Sequence, residues 1–386
     1  MDGGEVVDAL SVAREGLALH PSEPDLHDIL AGGLDYEGQV REALDLCVET
    51  ARMRLDGPLA GHRGRVPRRT RLTPRQRLFV AGYFYSGSGA VVDGLLGRPG
   101  VVKWTEGGEL RLIKGPGGFG DIARRRRTEG RLTTQDLVDH YLHLVGAKVR
   151  GLPRGTYDPW RRVNTVSRRL LRDPAGQRFV RVCLEAFLDL VTMVQKRPTR
   201  PERKLVRRFR STIDRALRCA AVDSEADVLV LDQTIPAHRL RLACFVPPSR
   251  FIVVHRDPRD QYSEVVEATS RPGWRTRTPE QFIEEYRHRR EQAEKRIPDL
   301  ERRYGHAFLQ VAFEDFVVEH RETAGRILGF LDLEDAGSRL PLGDGRFEPS
   351  ESRMNVGKHR EFLDPETVTR LEQALPEYLS PLAEAP

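Results

Sequence analysis

Apolar positions in this chain follow two kinds of pattern. Across residues 5–54, Ala and Leu recur at helical spacing, break at Pro21 and restart near Pro24 and Asp25, so the segment reads as helices. Four later runs are apolar without alternation: Leu78 to Ala81, then 226–234 (ADVLVLDQT), 250–260 (RFIVVHRDPRD) and 307–316 (AFLQVAFEDF). Unbroken apolar strands separated by helical stretches predict a parallel sheet covered on both faces. Residues 123–220 are helical in pattern and rich in Arg, which predicts a large insert. Residues 56–77 carry Gly, Pro and Arg with no period and read as a basic linker. The expected organisation is a helical appendage over 1–55, the linker over 56–77, and an α/β domain over 78–386.

In parallel sheets of this kind, ligands sit beyond the carboxyl ends of the strands. Those ends carry Ser86-Gly87-Ser88-Gly89, Asp232-Gln233, Arg256-Asp257 and Glu314-Asp315. A helical pattern follows the first of them. That order suits an anion, because small residues let backbone N–H groups approach it and a helix N-terminus adds partial positive charge. No Lys follows the glycines as it does in G-x-x-x-x-G-K-[ST], so the countercharge must come from elsewhere. Arg256 ends a strand and Pro258 opens a helix just after it, which puts a guanidinium at the same edge.

Composition narrows the classes. The 386 residues include 63 basic and 57 acidic side chains, net +6, with 39% apolar and 31% charged, a globular and mildly basic balance. Arg is concentrated at 124–127 and within 196–218, which fits either solvated helix faces or an anionic partner. Cys47, Cys183, Cys219 and Cys244 form no C-x-x-C pair, so reduced thiols are expected rather than disulfides or zinc. His140 and His143 lie one helical turn apart without a third ligand nearby and read as ordinary helix residues; no metal is expected. The start MDGGEVVDAL lacks the charged-then-apolar order of a signal peptide, and no run is long enough to span a bilayer. A cytoplasmic protein is the expectation.

The stretch RFIVVHRDPRD resembles the 3′-phosphate motif of the sulfotransferases that use 3′-phosphoadenosine 5′-phosphosulfate (PAPS). Other segments keep that family's order. VAFEDFVVEHRETAGRILGFLDL (311–333) is similar to its strand-plus-YEDL segment and the helix after it. NVGKHREFLDPETVTRLEQAL (355–375) is similar to its C-terminal GKW segment, with His359 in place of Trp. VLVLDQTIPAHRLRL stands where the family has a Lys-Thr-Pro stretch. The resemblance spans roughly 78–110 and 226–376. It implies a three-layer, P-loop-like α/β fold, PAPS as co-substrate without a metal, and transfer to a hydroxyl. The sequence does not name the acceptor: a glycan or glycosylated metabolite, either an anionic polysaccharide or a small molecule, is the first expectation and a small aromatic or lipid alcohol the second, with no nucleic-acid partner. On the same resemblance, Tyr85, Ser86, Gly87, Ser88 and Gly89 form the 5′-phosphosulfate loop, Arg256 and Ser263 belong to the 3′-phosphate motif, and Lys358 is a further cofactor-binding residue.

The chain departs from that pattern in places. Tyr85 stands where the family places Lys or Arg, which leaves Lys103, Lys114 or the Arg-rich insert to supply the charge. ELRLIKGPGGFGDI (109–122) resembles a bacterial branch of the family that also lacks the loop cation, and on that likeness Lys114 is preferred. Position 264, where the family has Ser, is Glu; Ser263 lies seven residues after Arg256, nearly two helical turns, and is expected to face it. Glu109 is the expected general base, with Asp232, Glu106 and then His255 as alternatives. ALSVAREGLALHPSEPDLH resembles part of a tetratricopeptide repeat, which points to homo-oligomerisation or docking through the N-terminal helices. Competing readings are a P-loop phosphotransferase or NTPase, opposed by the missing G-K-[ST], and a basic helical-repeat protein binding nucleic acid. Residues 196–218 offer the latter only Phe209 for stacking.

Overall fold

The computed structural model describes residues 3–60, 76–83, 85–96, 98–103, 111–146, 174–196, 202–220, 226–269, 277–333 and 349–384. The chain divides into two compact units, each assembled from separated stretches. One, mostly helical, holds residues 1–73, 107–224 and 244–247; the other holds 74–106, 225–243 and 248–386 and contains the sheet.

The sheet has five parallel strands: β1 (Gln76–Gly82), β2 (Val101–Lys103), β3 (Val228–Asp232), β4 (Arg250–His255) and β5 (Ala307–Ala312), in the order β2-β3-β1-β4-β5. The α/β fold with a central parallel sheet is as the apolar runs predicted. Edge strand β2 was not anticipated, being only three residues long. Leu78, Val80, Val228, Val230, Ile252 and Val254 pack on Val91, Val92 and Leu95 of the Ser88–Leu96 helix and on Phe316, Val317 and Ile327 from the helices after β5. The alternate positions of β1 and β4 are buried as well, and Phe308 of β5 is half-buried. Phe79, Phe251 and Phe308 are in register across β1, β4 and β5, and successive rings stack with centroids 4.9 Å apart. Burial on both faces is why β1, β3 and β4 read as continuous apolar runs, each fully buried side chain contributing about 1.5–3 kcal/mol. The chain leaves β1 for β2 and β3 on one side, then crosses to β4 and β5 on the other. Strand order therefore reverses at β1, where a ligand crevice is expected.

In the helical unit, Gly3–Leu19, Pro24–Tyr36 and Val40–Asp56 pack with helices of the predicted insert, Phe119–Glu129, Thr134–Leu144, Pro174–Lys196 and Glu202–Ala220. In the last of these, Leu205, Phe209, Ile213, Ala216 and Leu217 form a buried stripe at helical spacing. A buried polar network ties the N-terminal helices to the insert. Arg54 donates to Asp25 at 2.8 Å and to Asp28 at 2.5 Å, the Tyr141 hydroxyl donates to Asp28 at 2.7 Å, and the Gln135 amide donates to Asp35 at 2.6 Å. The segment read as an appendage thus shares its core with the insert. Many of the concentrated arginines meet partners within this unit: Arg125 pairs with Asp121, Asp136 and Asp139, Arg127 with Glu202, and Arg208, Arg215 and Arg218 with Asp189, Glu185 and Asp214. His140 and His143 are fully buried, and burial pushes them down to about 4 and about 3. The His140 Nδ1–H donates to the Gly117 carbonyl at 2.7 Å and so anchors the turn that follows Lys114. The four cysteines are free.

Candidate active site

Strand β1 ends at Gly82, and the chain turns sharply into the Ser88–Leu96 helix. Gly87 has φ +76° and lies against the ring of Phe313, where a Cβ would come within 2.2 Å of a ring carbon. Gly82 is equally confined: a Cβ there would meet Ser86 Oγ at 2.4 Å, Gln233 Nε2 at 2.5 Å and Ser88 Oγ at 2.7 Å. The turn is therefore built on small residues in close approach. Two non-glycine residues flank it with positive φ, Tyr85 at 56° and Gln233 at 46°. Each such backbone costs about 1–3 kcal/mol, and such strain clusters at functional sites. The Gln233 amide donates to Ser88 Oγ at 2.5 Å, while Ser86 Oγ is buried with no partner among the described residues. Tyr85 packs against the cluster of Tyr262, Val265, Phe282, Tyr286, Leu371 and Leu375. That accounts for the missing loop cation: the position serves as an apolar anchor.

Arg256, at the end of β4, is buried beside this loop. Its Nη2 donates to the Asn355 carbonyl at 2.6 Å, its Nη1 reaches the Tyr85 carbonyl at 3.4 Å and Glu264 at 3.3 Å, and its guanidinium stacks over Phe313 at 5.1 Å. The Nε has no partner among the described residues. Lys358 also meets Glu264, at 3.4 Å, and meets Glu267 at 2.6 Å. Asp260 holds the 355–359 segment in place. Its carboxylate accepts from the Gly357 and His359 N–H groups at 2.8 and 3.0 Å and from the His359 Nδ1–H at 2.6 Å. Burial alone would raise the Asp260 pKa, but the His359 bonds, Arg256 and the Gly357 N–H together hold it below the usual range. The loop, Arg256 and Lys358 are thus joined through Tyr85, Glu264 and Asn355. Ser263 is not part of that set. It is fully buried, and its hydroxyl donates to the Asp260 carbonyl at 2.7 Å.

The remaining candidates are spread more widely. Asp232, at the end of β3, pairs with Lys103 of β2 at 3.0 Å, and both side chains are largely buried. Glu106 and Glu109 lie outside the described residues. Lys114 belongs to the helical unit, whereas the loop belongs to the sheet unit. His255 is pushed down to about 3 by burial and then by Arg290, and its Nδ1–H donates to the Val311 carbonyl at 2.9 Å. A pKa that low makes it a weak base at neutral pH. Sequence reasoning gave no role to Glu314, Gln233, Asp260 or Phe313. The Asp257 N–H donates to buried Glu314 at 2.9 Å, yet burial pushes this carboxyl up to about 7. A first-turn Asp after the Asp-Pro was the available sequence sign for Asp260, and a strand-end position the sign for Gln233 and Glu314; the place of Phe313 is set by contacts distant in sequence.

Residues 153–337, just under half of the chain, match the family model described as "Sulfotransferase family". The match begins inside the stretch read as an insert, well after the β1 loop, contains β3 to β5 with Arg256, and ends before Lys358. No curated protein matches the chain. Among solved structures, the sulfotransferase domain of the Synechococcus olefin synthase is 15% identical, with 80% of this chain and 97% of that chain covered at a TM-score of 0.37. A sulfotransferase from Mycobacterium tuberculosis is 13% identical, with 98% and 99% covered at a TM-score of 0.39. One from Mycobacterium avium is also 13% identical, with 88% and 84% covered at a TM-score of 0.37. At such TM-scores these likenesses add no weight to the family match. Over residues 153–337 the chain is therefore similar to the sulfotransferase family.

Proposed function

We propose that the protein transfers the sulfuryl group of PAPS to a hydroxyl of an acceptor, a glycan or a glycosylated metabolite. The observation that supports this most is the link between the two anion sites: Arg256 reaches the carbonyl of Tyr85 within the loop. A nucleotide with a 5′-phosphosulfate on the loop and a 3′-phosphate on Arg256 and Lys358 would span that link. Backbone N–H groups of 86–89 and the Ser86 hydroxyl would hold the 5′ end. The acceptor oxygen attacks sulfur, the S–O bond to the 5′-phosphate breaks, and the acceptor's proton passes to a base. The products are a sulfate ester and adenosine 3′,5′-bisphosphate.

Glu109 is the proposed base and Lys114 the proposed cation for the charge that builds on the leaving phosphate. A second reading of the cation is favoured by the Lys103–Asp232 pair, which brings an ammonium to the strand ends of the sheet unit itself. In that arrangement Asp232 orients the lysine rather than taking a proton. The test is calorimetric titration with adenosine 3′,5′-bisphosphate, 5′-AMP and ATP, followed by incubation with labelled PAPS and a panel of acceptors. Arg256→Ala should weaken bisphosphate binding several-fold to a hundredfold, for a charge-assisted contact of about 1.5–3 kcal/mol, and leave 5′-AMP binding nearly unchanged. Preference for ATP over the bisphosphate, or no sulfated product with any acceptor, would sink the proposal.

A further inference from the structure

The pairing around Arg256 carries a consequence for donor recognition, which rests on reading Arg256 and Lys358 as the 3′-phosphate contacts. One carboxylate, Glu264, lies between both cations, 3.3 Å from Arg256 Nη1 and 3.4 Å from Lys358 Nζ. We infer that Glu264 is a built-in competitor for this anion subsite: its carboxylate stands where a phosphate would, and a nucleotide 3′-phosphate must displace it.

The geometry distinguishes an exchangeable occupant from a fixed one. Charge-assisted N–H···O contacts settle at about 2.7–2.9 Å, and both Glu264 contacts are well beyond that. Each cation has one shorter contact elsewhere, while the Arg256 Nη1 contact with the Tyr85 carbonyl is as long, at 3.4 Å. Arg256 Nη2 is fixed on the Asn355 carbonyl at 2.6 Å, and Lys358 on Glu267 at 2.6 Å. The Glu264 side chain is 22% exposed, which leaves its carboxylate a path to solvent while Arg256 Nη2 and Lys358 keep their shorter contacts. Glu264 and Glu267 are three residues apart on the Pro258–Thr269 helix and share a face, so two carboxylates of one helix face meet the two cations, with Asp260 also in the field of Arg256. An incoming phosphate gains from this subsite only what remains after Glu264 has been released. The 3′-phosphate then contributes less to affinity here than it would beside a hydroxyl, and Glu264 sets how far the donor is told apart from its 3′-dephosphorylated form.

The experiment titrates wild type, Glu264→Gln, Glu264→Ser and Glu267→Gln with adenosine 3′,5′-bisphosphate and with 5′-AMP, with a thermal melt of each protein. Glu264→Gln and Glu264→Ser should bind the bisphosphate about tenfold tighter, roughly one charged contact's worth, with 5′-AMP unchanged. Glu267→Gln, which leaves the Glu264 contacts intact, should shift it less than threefold or so. Unchanged or weaker bisphosphate binding in both Glu264 variants, with wild-type melts, overturns the inference and makes Glu264 a support for Arg256. If wild type and every variant bind the bisphosphate and 5′-AMP alike, the reading of the subsite as a 3′-phosphate site falls and the inference falls with it.

Discussion

Gly87 and Gly89 are two residues apart in the same turn, and alanine at each should have opposite effects on stability. At Gly87 the backbone has φ +76°, where a residue with a Cβ loses about 1–2 kcal/mol relative to glycine. The added methyl would also lie 2.2 and 2.7 Å from two carbons of the Phe313 ring, which is buried and has Arg256 stacked on it. Overpacking of that kind costs about 1–3 kcal/mol, so Gly87→Ala should destabilise by roughly 2–5 kcal/mol in total. Gly89 lies within the helix, and a Cβ there meets nothing within 4 Å. Gly89→Ala should stabilise by about 0.5–1 kcal/mol through the smaller entropy of the unfolded chain. Urea denaturation followed by far-UV circular dichroism measures both, the midpoints being compared at a common slope. A Gly87→Ala protein within about 0.5 kcal/mol of wild type would refute the reasoning, as would a Gly89→Ala protein equally damaged.

Glu314 holds its proton up to about pH 7 when folded but only to about 4.5 when unfolded, so the stability it lends is complete below pH 4.5 and lost as pH rises through 7. Glu314→Gln should therefore shrink the fall in stability between pH 5 and pH 8 by up to about 3 kcal/mol, read from urea midpoints at the two pH values; an identical fall in both proteins would contradict this. Arg54→Met strands buried Asp28 without its cation and should lower stability by about 3–5 kcal/mol, measured by denaturant titration, with a loss under about 1 kcal/mol showing the network to be dispensable. Lys114→Met and Lys103→Met separate the two cation assignments at saturating PAPS. The one that neutralises the leaving phosphate should lower kcat by about 10²–10³ with Kd nearly unchanged, and small, equal losses in both would remove both from that role. Glu109→Gln should lower kcat by about 10²–10⁴ while binding of adenosine 3′,5′-bisphosphate stays as in wild type, and near-normal turnover would hand the role to another group.

Strands β1, β3 and β4 were legible because burial on both faces leaves an unbroken apolar run, and edge strand β5, where only Val311 is buried, was legible from its β-rich composition. Strand β2 was not, since Val101-Val102-Lys103 is too short to form one, and only Val101 is buried. The placing of Arg256 and of the 86–89 turn was legible for a similar local reason: each lies at a strand end followed by a helix start. Ser263 was expected to face Arg256 from helical spacing, but the helix begins at Pro258, so its periodicity does not reach back to residue 256. It is Glu264 that meets Arg256, and its second partner, Lys358, lies 94 residues away. No local pattern encodes that pairing. The same holds for Tyr85, whose role as an anchor depends on the Tyr262, Phe282 and Leu371 cluster, and for the N-terminal helices, whose burial depends on Tyr141 and Gln135.

The interleaving of the two units bears on how the chain is made. As residues leave the ribosome from the N-terminus, the last piece of the helical unit, 244–247, emerges when only β1, β2 and β3 of the sheet have been synthesised. At that stage β1 has β3 on one side and nothing to pair on the side that β4 will take, a bare apolar edge of the kind that recruits other chains. Closure waits for β4 and β5, and Arg256 gains the Asn355 carbonyl later still. A nascent chain stalled between residues 247 and 307 would carry a complete helical unit beside an unfinished, sticky sheet. Slow translation across that interval should raise the demand for chaperones, and neither unit can be expressed alone by trimming the ends of the gene.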